Sequence, residues 1–461
     1  MSQQTLVTEE LIARQPPEAQ AIIRILLAKI AELEARLGKS PRNSSLPPSG
    51  EHPHAKPTPD QPKSGKKPGG QPGHAKHARP LIAVENCAEV LPLKPTACRR
   101  CGAKLSGSDP EPLRHQVWDL PEIQPIVTEY QRHRLTCSCC GITTCGELPT
   151  GVPTSQAGPR LVALTALLMG CFKQSKRRVA LFLTEVLNQP CSPGWVVKLQ
   201  AQATAALRPA YEELVQQLPR EDVLGIDESP TKQGPQKSWL WTFVADSYTV
   251  FALRTTRAAT VLQDLLTDAY DGVVNCDRAK MYWNVGRPQW CWAHLKRDFQ
   301  ALVDHPDHQL KRLGRDLMRP TKELFRLWSR CRDGTLTRRG FERLMPPIRR
   351  EIESLLLRGH GTAADGMCRE LYKHRAWLWT FVDVDGVEPT NNASERALRP
   401  AVIWRKLSFG TKSASGSRFV ETILTVVETC HRQSRNSFDY LTAALEAHFA
   451  GQPTPSLLAG V

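Results

Sequence analysis

The sequence predicts a multidomain protein of mixed α/β class. Its 461 residues exceed what one compact core usually holds. Two paired-cysteine turns and a largely helical stretch come first, and short apolar strands alternate with a helix after Asp222, which is the order of an α/β sheet. We therefore expect units in series: an N-terminal helix over 1–38, a basic linker over 39–80, a metal-stapled module over 81–150, a helical domain over 151–220, a first α/β segment over 221–299, a helical insertion over 300–385, a second α/β segment over 386–425 and a helical tail over 426–461.

The charge balance favours a polyanionic partner. Lys and Arg number 61 against 46 Asp and Glu, a formal net charge of +15, so nucleic acid is the first partner to consider and a merely soluble basic protein is the alternative. The polar start over 1–10 predicts no secretory signal, and hence a cytoplasmic protein. The longest apolar run, Leu161 to Phe172, is shorter than the roughly 20 residues that span a bilayer and predicts a buried helix. Fourteen cysteines in a cytosolic chain indicate metal binding and free thiols rather than disulfides.

The N-terminal helix has the apolar spacing of a coiled coil. Apolar side chains recur in steps of three and four at Ile23, Leu26, Ile30, Leu33 and Leu37. The pattern predicts self-association and hence a homo-oligomer, with a helix docked on its own core as the alternative.

A basic linker follows the helix. Between Lys39 and Pro80 there are eight Lys and Arg against two acids, with many Pro and Gly. Such an arm could lie along DNA phosphates, with Lys66 and Lys67 as contacts, or serve only as a solubilising tether.

Two cysteine turns predict a structural zinc site. Cys98 and Cys101, and then Cys137 and Cys140, are each separated by two residues and followed by Gly, which suits tetrahedral thiolate coordination. The sequence between them, Leu113 to Arg134, could form a hairpin. The spare thiols that could compete for the fourth position are Cys87, Cys139 and Cys145.

The helical domain is compatible with a helix-turn-helix. Lys176 to Leu187 and Pro193 to Ala203 predict two helices, with Ser192 and Pro193 in N-cap and N1 roles. A DNA-binding role would use Arg177, Arg178 and Lys198, and ordinary helix packing is the alternative.

The α/β region is predicted element by element. The expected elements are a strand ending at Asp227, a hairpin of 238–245 and 249–253, a helix over 258–269, a strand over 272–275, a further strand over 289–292, a long helical block over 294–381 with breaks near Asp307 and Gly334, and a last helix over 437–449.

Three acids in this region are candidate metal ligands. Asp227 and Asp277 end successive buried strands, where an acid needs a charge partner such as a metal ion. Glu395 falls within the first two turns of a helix capped by Thr390 or Asn391. Three carboxylates suit two Mg²⁺ (or Mn²⁺) ions in phosphoryl transfer. Taken singly, they could instead be a turn residue, a helix cap and an ion-pair partner of Arg399.

The amino-acid sequence resembles that of the transposases of the insertion-sequence-66 family, both around these acids and over nearly the whole chain. The segments that carry the likeness are Asn43-Ser-Ser-Leu-Pro-Pro-Ser49, Lys67-Pro-Gly-Gly-Gln-Pro-Gly-His74, the two cysteine turns, Asp227-Glu-Ser, Trp239-Leu-Trp, Tyr270-Asp-Gly, Cys291-Trp-Ala-His-Leu295, Thr390-Asn-Asn-Ala-Ser-Glu-Arg396 and Arg405-Lys-Leu-Ser-Phe-Gly-Thr411.

The resemblance implies a ribonuclease-H-like DDE catalytic domain with a helical insertion, after a leucine-zipper-like helix, a zinc module and a helix-turn-helix. It places the catalytic acids at Asp227, Asp277 and Glu395. It further implies a DNA transposase that cleaves terminal inverted repeats and joins the 3′ ends to target DNA, with accessory proteins from the same element. The family usually has Asp-Glu-Thr at the first acid and Ser-Asp-Gly-Tyr near the second, whereas this chain has Asp227-Glu-Ser and Cys276-Asp-Arg-Ala.

Basic residues near the third acid are expected to contact DNA. Arg396, Arg399, Arg405 and Lys406 could clamp phosphates or form a solvated helix face, and His294 could contact a phosphate or simply pack. Two other functions remain open: a catalytically silent DNA-binding repressor, and a metal-dependent nuclease or resolvase on the same fold.

Overall fold

The computed structural model describes residues 9–37, 43–44 and 79–458. The chain divides into two compact units, Met1–His52 with Pro125–Val461, and Pro53–Gln124. The basic linker over 39–80, with Lys66 and Lys67, lies almost entirely outside the described residues.

The secondary structure is mainly helical around one larger sheet. The helices are α1 (Glu9–Ala13), α2 (Pro17–Leu37), α3 (Pro159–Gly170), α4 (Lys176–Glu185), α5 (Pro193–Gln217), α6 (Thr260–Leu266), α7 (Trp292–Val303), α8 (His308–Arg332), α9 (Arg338–Arg358), α10 (Asp365–Lys373), α11 (Thr380–Asp383), α12 (Asn392–Ser408), α13 (Ala414–Arg432) and α14 (Ser437–Phe449). The strands are β1 (Arg134–Thr136), β2 (Thr143–Cys145), β3 (Val223–Gln233), β4 (Gln236–Val244), β5 (Thr249–Arg254), β6 (Val273–Cys276) and β7 (Arg287–Trp290).

The five-stranded sheet has the order β5-β4-β3-β6-β7. β3, β4 and β5 form an antiparallel meander, while β6 and β7 run parallel to β3. A parallel neighbour requires a crossover, and α6 supplies it between β5 and β6. β3 therefore lies at the centre, pairing with β6 over Val223 to Gly225 and with β4 from Gly225 to Gln233.

One edge of this sheet is covered by α13. β5 is an edge strand, and an uncovered edge would leave its outward backbone N–H groups without partners. Side chains one helical turn apart on α13 accept those hydrogen bonds: Leu253 N donates to Glu421 at 3.0 Å, Phe251 N to the hydroxyl of Thr425 at 2.9 Å and Thr249 N to that of Thr429 at 3.2 Å. The helix thus closes the edge by hydrogen bonding as well as by apolar packing.

Replacing Glu421 by alanine is expected to destabilise the fold by about 3 kcal/mol, because it removes one partner of a buried ionic cluster. The Glu421 side chain is 7% exposed, and its carboxylate lies 2.8 Å from Arg208 and 3.5 Å from Arg254. The measurement is the free energy of unfolding in urea. Glu212→Ala is the matched control, since Glu212 is 55% exposed and also pairs with Arg208; it should cost well under about 1 kcal/mol. Equal losses of unfolding free energy in both variants would contradict a stabilising role for the buried cluster around Glu421.

Most predicted elements of the α/β region are confirmed. The hairpin, the crossover helix, the later strands and the last helix, Ser437–Phe449, occur where expected. The helical block breaks at Asp307, whose side chain caps α8, and at Gly334. Ser192 accepts a hydrogen bond from Trp195 N at the start of α5, as its predicted N-cap role requires. None of the described helices is long and apolar enough to cross a membrane.

Some expectations were wrong. β3 does not end at Asp227 but continues to Gln233, because β4 pairs with it from Gly225 to Gln233. Leu113 to Arg134 forms no hairpin; residues 112–133 have no regular structure, and the short pair β1–β2 flanks the second cysteine turn instead. The proposed boundaries at 299/300 and 425/426 lie within α7 (Trp292–Val303) and α13 (Ala414–Arg432), and the division into domains stays a prediction.

The N-terminal α2 confirms the predicted helix. Its apolar side chains at Ile22, Ile25, Leu26 and Ile30 are at least half exposed. Docking on a core of the same chain would bury them, so the coiled-coil interpretation stays the better prediction.

Candidate active site

The first two acids stand at the same level of the sheet. β3 pairs with β6 in parallel only as far as Gly225 opposite Asn275, and Asp227 and Asp277 each lie two residues beyond that pair. Since both strands run in the same direction, the two carboxylates occupy equivalent positions on neighbouring strands. Asp277 follows directly after the last residue of β6, where the two strands stop pairing.

The third acid comes from α12, which packs on β3 and β4. Glu395 lies in the first turn of this helix, and its backbone N donates to Asn391 O at 3.1 Å. Asn391 is the N-cap residue by position, but its side chain does not cap the helix. Its amide nitrogen instead donates to Ile226 O on β3 at 2.7 Å. The expected helix is confirmed, while the capping by this side chain is not.

The side chains of Ser394 and Asn391 approach the backbone of β3 closely at Gly225. A Cβ atom on Gly225 would lie 2.3 Å from Ser394 Oγ and 3.2 Å from Asn391 Oδ1. The first turn of α12 can therefore rest against β3 only because this residue has no side chain.

Further hydrogen bonds hold the segment before α12. The Asn275 side chain donates to Glu388 O at 2.7 Å and to Thr390 O at 3.2 Å, and Asn391 N donates to Cys291 Sγ at 3.1 Å. Asn275 and Cys291 are buried. These positioning residues were not found by sequence reasoning, because an Asn inside an apolar strand and a lone Cys carry no signal of their own.

The negative charges of Asp277 and Glu395 act on Asp227. Burial raises the pKa of Asp227 well above its ordinary value, the negative charge of Glu228 raises it next, and those of Asp277 and Glu395 raise it further; a hydrogen bond from Glu228 N, at 2.9 Å, acts in the opposite direction. Four carboxylates converge here, which is unfavourable without a counter-charge. A divalent cation would supply that charge, so these residues fit a metal site.

Glu228 is already satisfied by other groups. Its carboxylate accepts hydrogen bonds from the Tyr282 hydroxyl and from Arg257 Nε, the latter at 2.7 Å. Burial raises the pKa of this carboxyl, and these two partners lower it. Glu228 therefore lines the site and pairs with Arg257, so its carboxylate is not free to bind a metal ion.

His294 and Arg297 flank the third acid. His294 lies in the first turn of α7, at the start of the predicted helical block. Its Nε2 is 3.5 Å from Glu395 Oε1, and an Arg297 Nη atom is 3.9 Å from Glu395 Oε2. Glu395 thus pairs with α7, and no ion pair with Arg399 was found.

The unusual neighbours of Asp277 have structural contacts of their own. Cys276 is fully buried, and Arg278 pairs with Asp298 on α7 at 2.6 Å and with Glu370 on α10 at 3.3 Å. The Arg278 side chain therefore ties the strand end to the helical insertion.

Each cysteine turn has the same local geometry. In the first, Cys98 N donates to Ala103 O at 2.9 Å and Gly102 N to Cys98 O at 3.0 Å. In the second, the corresponding bonds of Cys137 are both 2.9 Å. Gly102 and Gly141 have φ of 73° and 74°, a conformation that favours glycine. Backbone amides facing the sulfur lower the pKa of Cys98 and of Cys137, which favours the thiolate that zinc requires.

The described Arg and Lys residues assigned to DNA lie on three helices. Arg177 and Arg178 on α4, and Lys198 on α5, are exposed on two helices that pack together. On α12 the residues Arg396, Arg399 and Lys406 are exposed, whereas Arg405 is half-buried and donates to Ser229 Oγ at 3.0 Å and to Pro230 O.

An open cleft of about 450 Å³ lies beside Arg405 and was not anticipated. It is lined by Pro230, Thr231, Lys232, Pro235, Lys237, Arg405 and Phe409. Phe409 is 84% exposed and has a left-handed backbone with φ of 57°. The conformation is held because Thr411 N donates to Lys232 O at 2.9 Å and Gly234 N donates to Thr411 O at 2.8 Å.

Comparison with known proteins identifies the family. Residues 154–418, more than half of the chain, match the transposase IS66 family. The chain belongs to that family. In this IS66-family chain, residues 95–141 match the zinc-finger binding domain of transposase IS66 and span both cysteine turns, which supports zinc binding. Residues 3–80 match a family of unknown function.

A curated relative of the IS66-family chain is an uncharacterized protein, y4qI, of Sinorhizobium fredii. It is 23% identical over 256 residues, which is 48% of this chain and 46% of the relative. The chain thus aligns with about half the length of that relative.

Proposed function

We propose that this protein is a DNA transposase that cleaves the ends of an insertion sequence and joins the 3′ ends to target DNA by metal-dependent phosphoryl transfer. The observation that carries the proposal is the convergence of Asp227, Asp277 and Glu395, from two strands and a helix, on one end of the sheet. Membership of the IS66 family supports the same activity.

The strand arrangement supports a ribonuclease-H-like domain. Three antiparallel strands followed by two strands parallel to the first, in the order observed here, are expected of that fold. Fold alone does not assign chemistry, so the argument for activity rests on the acids.

The three carboxylates would hold two Mg²⁺ or Mn²⁺ ions. Such ions, when bound, activate a water or a 3′-hydroxyl and stabilise the leaving oxygen. The carboxylate oxygens of Asp227, Asp277 and Glu395 supply hard ligands and neutralise the positive charge of the metal ions. Arg297, 3.9 Å from Glu395, orients the third carboxylate, and the hydrogen bonds of Asn391 and Asn275 keep α12 against β3.

DNA would lie along the cleft beside Arg405. Lys232, Lys237 and Arg405 provide charge for phosphates, while Phe409 offers an exposed ring on which a base could stack. Pro230 and Lys232 follow Asp227 on β3 by three and five residues, so the cleft begins about 10 Å from the acid at 3.3 Å per residue. That distance corresponds to a few nucleotides.

Phe409→Ala is expected to weaken binding of a DNA end about 5- to 150-fold, because stacking of a base on an aromatic ring contributes about 1–3 kcal/mol. The affinity is measured by fluorescence anisotropy at several salt concentrations. No charge is removed, so the salt dependence should stay unchanged, whereas Lys237→Ala should reduce it. Leu407→Ala is the control, since Leu407 is 64% exposed near the same helix end. A similar loss in both alanine variants would contradict base stacking.

The partners proposed are terminal inverted repeats, target DNA, a second copy of the chain through α2, and accessory proteins of the same element.

One assay separates the candidate functions. Full-length protein, Mg²⁺, an end-labelled element terminus and an unlabelled plasmid should yield label joined to the plasmid. Cleavage without joining would indicate a nuclease or resolvase, and binding without cleavage a repressor; either result overturns the proposal.

A further inference from the structure

Three potential metal ligands of different chemistry meet next to the carboxylate centre. Cys291 immediately precedes α7, His294 lies in its first turn, and Glu395 lies in the first turn of α12. One ligand atom from each, a sulfur, a nitrogen and an oxygen, lies within 4.8 Å of the other two. This is the one such group of three among residues 9–37, 43–44 and 79–458.

Two side-chain atoms of this group are buried without a hydrogen-bond partner. They are His294 Nδ1 and Glu395 Oε1. An unpaired buried polar atom is costly, so most such atoms have a partner. Glu395 Oε1 faces His294 Nε2 at 3.5 Å, and a cation between these two atoms would give the oxygen the partner that it lacks.

The spacing suits a tetrahedral ion. With metal–ligand bonds of about 2.0–2.3 Å, ligand atoms on a tetrahedron lie about 3.3–3.7 Å apart. His294 Nε2 and Glu395 Oε1 are 3.5 Å apart. Cys291 Sγ already accepts a hydrogen bond from Asn391 N at 3.1 Å, which stabilises charge on the sulfur.

We propose that Cys291, His294 and Glu395 form a separate site for a thiophilic divalent ion such as Zn²⁺, and that its occupation withdraws Glu395 from the carboxylate centre. Mg²⁺ prefers oxygen ligands, whereas Zn²⁺ binds thiolate, imidazole and carboxylate together. Three protein ligands leave a fourth position for water. Entry is from the side of His294 and Glu395, which are 21% and 31% exposed, because Cys291 is fully buried.

The functional consequence rests on the proposed function, whereas the metal binding does not. Zn²⁺ bound to Glu395 Oε1 competes with Mg²⁺ for this carboxylate, so Zn²⁺ bound here lowers Mg²⁺-dependent cleavage. Arg297, 3.9 Å from the other oxygen of Glu395, has to move if a second cation approaches that carboxylate.

The binding is tested with Co²⁺ as a spectroscopic probe of full-length protein that retains its structural zinc. Wild type is expected to take up one extra Co²⁺ with a thiolate-to-metal charge-transfer band. Cys291→Ala should lose the band, and His294→Ala should bind Co²⁺ at least 10-fold more weakly. Cys430→Ala is the matched control, since Cys430 is equally buried but lies on α13. A band that persists in Cys291→Ala, or vanishes in Cys430→Ala, overturns the site.

The inhibition is tested separately. Zn²⁺ is titrated against cleavage at constant Mg²⁺, and each variant is compared with its own activity without Zn²⁺. The half-inhibiting Zn²⁺ concentration should rise at least 10-fold in Cys291→Ala relative to Cys430→Ala. Equal inhibition overturns the withdrawal of Glu395. If wild type cleaves no DNA at all, the proposed function fails, while the Co²⁺ spectrum still decides the metal site.

Discussion

Asp227→Asn is expected to abolish cleavage and, at the same time, to stabilise the metal-free protein. The loss of activity should reach about 1,000-fold or more, equivalent to about 4 kcal/mol in the barrier, because the variant cannot supply the ionised oxygen that a divalent ion requires. Stability should rise because Asp227 lies among Glu228, Asp277 and Glu395 and one of the converging negative charges is removed. The two measurements are strand cleavage on a labelled DNA end and thermal unfolding in a chelating buffer.

The stability of the metal-free protein is expected to depend on pH through Asp227. Since the folded pKa of Asp227 is raised, first by burial and then by neighbouring charges, the unfolded chain releases this proton more readily than the folded one. The metal-free wild type should therefore lose stability as the pH rises through the folded pKa, and Asp227→Asn should lose less. Adding Mg²⁺ should raise the melting temperature of wild type but not of the variant.

Asp222→Asn is the matched control for both effects. Asp222 precedes β3 and is exposed, so its neutralisation removes the same charge outside the cluster. It should leave cleavage and the Mg²⁺ response unchanged. A variant Asp227→Asn that still cleaves DNA, or that is less stable than wild type without metal, would contradict the proposed metal centre.

Cys137→Ser is expected to release the structural zinc, about one ion per chain, and to unfold its module. A small module with few buried apolar groups depends on the metal for its folding. Around the second turn the side chains of Leu135 and Ile142 are 72% and 65% exposed, so little apolar burial is available to replace the metal. Zinc content is measured by mass spectrometry of the purified protein, and the state of the module by limited proteolysis.

Cys139→Ser tests which thiols are the ligands. Cys139 lies between Cys137 and Cys140 and is equally exposed, but it is not one of the four cysteines of the Cys-two-residues-Cys turns. Its replacement should leave the zinc content unchanged. Loss of zinc in Cys139→Ser together with retention in Cys140→Ser would show that the predicted ligand set is wrong.

Local patterns were sufficient for many elements. The apolar runs of β4 to β7, the caps Ser192 and Asp307, and the helix over 437–449 could be predicted because their signals lie within a few neighbouring residues. The glycine-terminated cysteine turns belong to the same class, since each is closed by its own backbone hydrogen bonds. The three acids were predicted from strand ends together with the family resemblance, and in the structure Asp227 interacts electrostatically with Asp277 and Glu395.

Tertiary structure decided the rest. The sequence by itself determined the chain's family and its two cysteine turns, and it predicted Asp227, Asp277 and Glu395 as the catalytic acids. Only the folded chain decided that β3 runs on to Gln233, that α13 closes the edge at β5, that Phe409 stands exposed in a basic cleft, and that Cys291 and His294 meet Glu395. The physical reason is that each of these contacts joins residues far apart in sequence. These contacts stabilise the protein only when α12 and α13 pack on the sheet, so no local sequence pattern predicts them.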